Sequence, residues 1–165
     1  MTPPPGDVRE QLVALLPRLR RFARTLARNP HDADDVVQLA LERALTRLGQ
    51  WRPDSKLESW MFGIIRNAWI DEVRARKRRD RVFAPEELGE HVGESVTDAQ
   101  IDSMAMQSAL AQLPEEQRSA VALVLIEGLS YKEAAEAMDV PIGTLTSRLA
   151  RGRDAMMAFL VKERP

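Results

Sequence analysis

From residue 8 onward, apolar side chains return every three or four positions. Val8, Leu12, Leu15, Leu19, Phe22 and Leu26 set the pattern, and Val36, Val37, Ala40, Leu41, Ala44, Leu45 and Leu48 repeat it. This spacing builds one apolar stripe per helix and leaves no period-two alternation for strands. The chain is therefore expected to be all-α. Its 165 residues, 44% of them hydrophobic, suffice for one core or two small ones.

Local signals divide the helices. Pro17 interrupts the first stripe and predicts a kink or short break. Asn29-Pro30 ends that helix, and Asp32, Asp34 and Asp35 open the next at its positive dipole end, with Gly49 as its stop. Trp51 to Lys56 reads as a loop. A third helix runs from about Leu57 to Arg79, apolar first and then strongly basic. Periodicity fades between Val82 and Ser103, where six carboxylates occur without one basic residue, the composition of a linker. Helices resume at Met104. Pro114-Glu115-Glu116 begins a segment whose Val121, Leu123, Val124, Leu125 and Ile126 predict a dense core. Ser130 and Glu133 match a capping box. The expected organisation is two small helical domains, residues 7–81 and 104–162, joined by an acidic linker at 82–103.

Composition excludes several functions. The chain has no cysteine, hence no disulfide scaffold, thiolate metal site or cysteine nucleophile. No window approaches the ~18 apolar residues of a membrane span, and the start lacks the regions of a signal peptide. The expected protein is cytoplasmic, with no membrane insertion. His31 and His91 are isolated and read as exposed loop residues. No serine has a His-Asp partner pattern and no glycine-rich phosphate loop is present, so an enzyme is not expected, nor a cofactor or metal.

The net charge of −1 conceals a segregated arrangement. Residues 66–81 sum to +4 and 144–165 to +3, whereas 82–103 sum to −6. Two basic stretches flanking an acidic one suit two nucleic-acid-facing surfaces.

The segment from Ser130 to Arg153 has the form of a helix-turn-helix. A short capped helix with small Ala134, Ala135 and Ala137 leads into a second helix with polar and basic residues early. A DNA major groove, about 12 Å wide, admits one such helix. Leu145 and Leu149 are expected to face the core. Thr144, Thr146, Ser147, Arg148, Arg151 and Arg153 are then available to base edges and phosphates. An ordinary helical hairpin with a solvated basic end has the same spacing.

Several stretches together resemble one family. Leu129–Ala135 followed by Val140–Arg153 looks like the promoter-binding domain of an extracytoplasmic-function sigma factor, and Leu113–Arg118 resembles that domain's entry. Asp32-Ala33-Asp34-Asp35-Val36-Val37-Gln38 resembles the family's polymerase-binding helix. Trp60–Asn67, with Asp71 and Arg74 after it, resembles the −10 recognition helix. The resemblance covers roughly residues 8 to 160.

It implies a subunit that directs core RNA polymerase to promoters and starts transcription, in a stress or envelope response, under an anti-sigma protein. Asp32, Asp34, Asp35, Gln38 and Glu42 would dock on the β′ clamp helices, with the C-terminal domain's apolar flank on the β flap. Asn67 and the loop Gln50–Ser59 would capture a base flipped from the −10 element. Arg66, Arg74, Arg76, Lys77, Arg78 and Arg79 would hold phosphates, and Trp51 is a candidate stacking platform. Trp60 and Trp69 sit at apolar positions and are assigned to the core. The last helix would read the −35 element, and the acidic linker would thread the RNA-exit path. Three positions depart from the family pattern: Asp139 and Gly152 replace a frequent Gly and Ala, and Thr146 replaces a cation. A stand-alone helix-turn-helix regulator is the alternative reading.

Overall fold

The computed structural model describes residues 5–81 and 98–163, and all their regular elements are helical. Seven α-helices follow in order: α1 (Pro5–Ala27), α2 (Pro30–Thr46), α3 (Leu57–Asp80), α4 (Asp98–Gln112), α5 (Glu115–Val121), α6 (Tyr131–Met138) and α7 (Ile142–Glu163). A 3-10 turn at Leu48–Gln50 precedes the loop to α3, and a π-helical stretch at Ala122–Ile126 prolongs α5.

Helices α1 to α3 form the N-terminal bundle. Leu19, Phe22 and Leu26 of α1 meet Val36, Val37 and Ala40 of α2 and Met61, Phe62 and Ile65 of α3, all buried. Phe22 and Phe62 pack edge-to-face with centroids 5.1 Å apart, the arrangement the ring quadrupoles favour. Fully burying each such side chain contributes about 1.5–3 kcal/mol, which outweighs the weak intrinsic propensities of the segments.

The expected break at Pro17 does not occur: α1 runs unbroken through it. Pro17 and Val13 both lie on the exposed side of the helix, so the backbone bond that the ring removes is lost toward water rather than inside the core. The start of α2 also differs. Pro30 occupies its first turn, and the Asn29 side chain caps it by accepting from His31 N at 2.8 Å. His31 is thus helical, though exposed as expected. The helix ends at Thr46, three residues before Gly49, with Arg47 as its cap and the 3-10 turn following from Leu48.

In the C-terminal half, α4 begins at Asp98, six residues before the expected start at Met104. Residues 82–97, which carry most of the expected linker and His91, lie outside the described residues. The dense core expected across Val121–Ile126 is narrower than its composition suggests. Val121 and Leu123 are buried, but Val124 and Ile126 are half-buried and Leu125 is 53% exposed. The cause is the π turn. Glu127 N bonds to Ala122 O, five residues back, at 2.9 Å, which shifts the helix face by one residue.

Gly152 has a packing role that its low helix propensity hides. A Cβ there would lie 2.8 Å from Val121 Cγ2 and 3.3 Å from the Gln117 backbone oxygen. The glycine lets α7 cross close over α5. Gly152→Ala should therefore lower the melting temperature, because overpacking costs about 1–3 kcal/mol while helix propensity returns only about 1. Thermal unfolding followed by circular dichroism checks it; a raised melting temperature would show that the crossing relaxes without strain.

The two halves pack together. Helix α3 lies along α6, and α1 touches α4 and α5. Gly63 marks the tightest approach: a Cβ there would sit 3.1 Å from the Ala137 carbonyl oxygen.

Candidate nucleic-acid and polymerase interfaces

The helix-turn-helix is built by two local devices. Ser130 Oγ accepts from Glu133 N at 3.1 Å while Glu133 Oε1 accepts from Ser130 N at 3.3 Å, so the capping box is complete in both directions. The Ser130 hydroxyl chiefly holds the Glu133 carboxyl below its ordinary value, with Ser59 and Lys56 adding to the effect. At the other end Asp139 takes the left-handed conformation, φ 55° and ψ 49°, that turns the chain into α7.

Along α7, Leu145 and Leu149 are buried as their spacing predicts. The opposite side carries the candidate reading residues. Thr144, Ser147, Arg148 and Arg151 share the wall of a cleft of about 460 Å³ with Glu116. Arg151, Arg153 and Ser147 are exposed. Thr146 is half-buried, and its hydroxyl donates to Gly143 O at 3.0 Å. Arg148 is held 3.4 Å from Glu116.

Arg47 and Gln50 before α3, the first half of α3 and Glu136, Ala137 and Asp139 at the end of α6 line a second, open cavity of about 300 Å³. Asn67 is exposed at its edge, with Gln50, Ser59, Trp60 and Ile64 around it. Trp51 is half-buried, and its indole Nε1 has no hydrogen-bond partner among the described residues. Trp69 is buried in the core, as its position predicts, whereas Trp60 is half-buried at the cavity.

The basic residues of α3 divide into two groups. Arg74, Lys77 and Arg78 are exposed toward its end. Arg76 is engaged instead: its Nη2 lies 2.7 Å from Asp32 and its Nε 3.1 Å from Glu72, and the Asp32 bond above all raises its pKa. Arg79 also reaches Glu72, at 3.1 Å. Arg66 is not on this surface at all. It is buried, with Nη2 3.5 Å from Glu115 of α5 and Nε without a partner among the described residues, and burial lowers its pKa against the opposing pull of Glu115.

The acidic face of α2 is likewise only partly free. Asp34, Asp35, Gln38 and Glu42 are exposed, while Asp32 is held by Arg76. Arg43, beside them, pairs with Asp71 at 3.1 Å.

Sequence reasoning missed one cluster. The Glu127 side chain is fully buried and takes both Nε and Nη2 of Arg21 at 2.8 Å each, while Arg18 Nη2 donates to its backbone carbonyl at 2.8 Å. This bidentate bond raises the Arg21 pKa. One signal was available, since Glu127 is the sole carboxylate in the apolar stretch Ser119–Leu129.

Comparison with known proteins matches these two halves separately. Residues 12–79 match the model of Sigma-70 region 2, and residues 103–156 match that of Sigma-70 region 4. The ECF RNA polymerase sigma factor EcfG of Rhodopseudomonas palustris is 35% identical over 93% of this chain and 85% of its own. The ECF RNA polymerase sigma factor SigM of Mycobacterium tuberculosis is 37% identical over 87% and 71%. Among solved structures, the sigma factor RpoE of Bartonella quintana, crystallised with the anti-sigma factor NepR, superposes with a TM-score of 0.78. It is 31% identical, covering 96% of this chain and 99% of that one. CnrH, in complex with the cytosolic domain of CnrY, gives a TM-score of 0.70 at 26% identity, over 94% and 88%. On this evidence the chain belongs to the ECF sigma factors of RNA polymerase.

Proposed function

We propose that this sigma factor divides its work between its two helical halves, residues 7–81 and 104–162. Its exposed α2 residues Asp34, Asp35, Gln38 and Glu42 dock on the clamp helices of the polymerase β′ subunit, and Asp32 serves by fixing Arg76. The cavity at Asn67 receives a base from the opened −10 element, where the amide supplies both a donor and an acceptor. Arg74, Lys77 and Arg78 hold the neighbouring phosphates. The exposed side of α7, with Thr144, Ser147, Arg148, Arg151 and Arg153, reads the −35 element, and Leu125 extends the apolar flank offered to the β flap.

One observation carries this reading. The cavity beside Asn67, where α3 meets α6, and the cleft between α5 and α7 are separate hollows, each with basic side chains in its lining. A stand-alone regulator needs the second and has no use for the first. No helix among the described residues is long and apolar enough to cross a membrane, and we place the protein in the cytoplasm, acting by recognition rather than by catalysis of its own. The solved complex of a sigma factor with the anti-sigma factor NepR supports control by an anti-sigma protein, and we place this control in a stress or envelope response.

Transcription with purified core polymerase on a randomised promoter library tests the reading. A defined −10/−35 pair should emerge from the transcribed pool; no transcript from folded protein would refute it. Arg151→Ala should then cost about 1–3 kcal/mol at one position of the −35 element, roughly ten- to a hundredfold in promoter affinity. Affinity that falls equally at all positions would instead make Arg151 a phosphate contact.

A further inference from the structure

Two arginines stand on the reading face of α7, and they are held differently. Thr144, Ser147, Arg148 and Arg151 fall at i, i+3, i+4 and i+7, one face of the helix, and all four line the cleft. Arg151 is exposed and has no carboxylate partner among the described residues. Arg148 lies lower. Its side chain is 22% exposed, and its Nη2 sits 3.4 Å from Glu116 Oε2 across the cleft.

Glu116 has no other engagement. Its side chain is 60% exposed and makes no further ion pair or hydrogen bond among the described residues. Glu115, one residue earlier, is already occupied: it accepts from Ser119 Oγ at 2.7 Å and faces Arg66 of α3 at 3.5 Å. The pair of Glu116 and Arg148 therefore lies wholly inside the C-terminal half. Such a pair changes the cation in two ways. The carboxylate offsets its charge, which weakens its attraction to any phosphate. It also fixes the planar fork while engaging only one nitrogen, so the remaining N–H groups can still meet two acceptors on a base. An arginine oriented in advance loses less rotational freedom when it donates to guanine O6 and N7.

We propose that Glu116 is a positioning residue that sets promoter specificity: it buttresses Arg148 and turns it from a phosphate contact into the reader of one guanine in the −35 element. This rests on the reading of α7 as the −35 helix. Offsetting the charge weakens the hold of Arg148 on every duplex, whereas fixing its orientation helps only at the matching base. Both effects widen the gap between right and wrong sequences.

Holoenzyme assembled from core polymerase and the full-length chain provides the test, on promoter fragments substituted one base pair at a time across the −35 element. Glu116→Gln keeps the size of this exposed side chain and removes its charge. It should lower discrimination at one G·C pair by roughly tenfold and leave the other positions unchanged. Affinity for a fragment with a scrambled −35 element should rise about two- to fivefold. The slope of log affinity against log salt on that fragment should steepen by about one. Arg148→Ala should abolish the preference at the same G·C pair, and adding Glu116→Gln to it should change nothing further there. Affinity lost evenly at all positions, a loss at one pair that persists in the Arg148→Ala background, or a silent Glu116→Gln would each overturn the buttress. A silent Glu116→Gln beside an Arg148→Ala that still erases one preference leaves the reading of α7 standing. A parent holoenzyme with no preference at any −35 position removes that reading, and the buttress with it.

Discussion

Asn67→Ala should slow open-complex formation by roughly ten- to a hundredfold while leaving the first, duplex-bound complex with polymerase nearly unchanged. Extruding a base costs a few kcal/mol of stacking, and the cavity has to compensate for it. Asn67 is exposed at the edge of that cavity, and its amide can donate and accept on a base edge. Two such bonds in a partly desolvated site contribute about 1–3 kcal/mol, hence the expected range. The fold is not at risk, because Asn67 makes no hydrogen bond within the described residues that alanine would remove. Stopped-flow fluorescence of a 2-aminopurine in the −10 element separates the two steps. Unaltered opening in Asn67→Ala would remove this residue from the pocket's function.

The second large effect is expected at Arg118. Its guanidinium donates to three backbone carbonyls: Leu110 at 3.0 Å, Leu113 at 2.8 Å and Leu26, across the junction, at 3.1 Å. Burial lowers its pKa, with Arg28 adding a like charge nearby. The side chain thus ties the end of α4 to α5 and both to the last turn of α1. Arg118→Ala strips a charged donor from all three acceptors and should cost about 2–3 kcal/mol. For a unit of some 60–100 residues that lowers the melting temperature by roughly 10 °C or more. Arg118→Lys should recover only a part, since an ammonium cannot span three carbonyls as a planar fork does. A melting temperature unchanged in Arg118→Ala would show that water replaces those donors at no cost.

Much of this architecture was legible in the chain because it follows from local rules. The stripe from Val8 to Leu26 is buried almost residue for residue, and only Leu15 stays half-buried. The capping box at Ser130 and the turn at Asp139 form where the side-chain chemistry places them. What escaped depends on partners far along the chain. Pro17 was tolerated because of which side of α1 meets water. The π turn after Val121 turned Leu125 outward, and periodicity gives no sign of such an insertion. The candidate site behaved in the same way. The spacing of Leu145 and Leu149 placed the polar side of α7 correctly, but nothing near Arg66 in sequence announces Glu115, and nothing near Arg76 announces Asp32. Composition marks these arginines as basic. Only the fold separates those still free to meet a phosphate, such as Arg74 and Arg78, from those already committed to a carboxylate.

The turn at Asp139 shows one further consequence. A non-glycine residue in the left-handed region carries a local backbone strain of about 1 kcal/mol, which glycine would relieve. Glycine would also take a carboxylate away from the rim of the Asn67 cavity. The chain is thus locally frustrated at the position where the helix-turn-helix bends. Asp139→Gly would make a more relaxed turn and a less negative pocket mouth, so backbone comfort and electrostatic shielding of the pocket cannot both be optimised by one residue there.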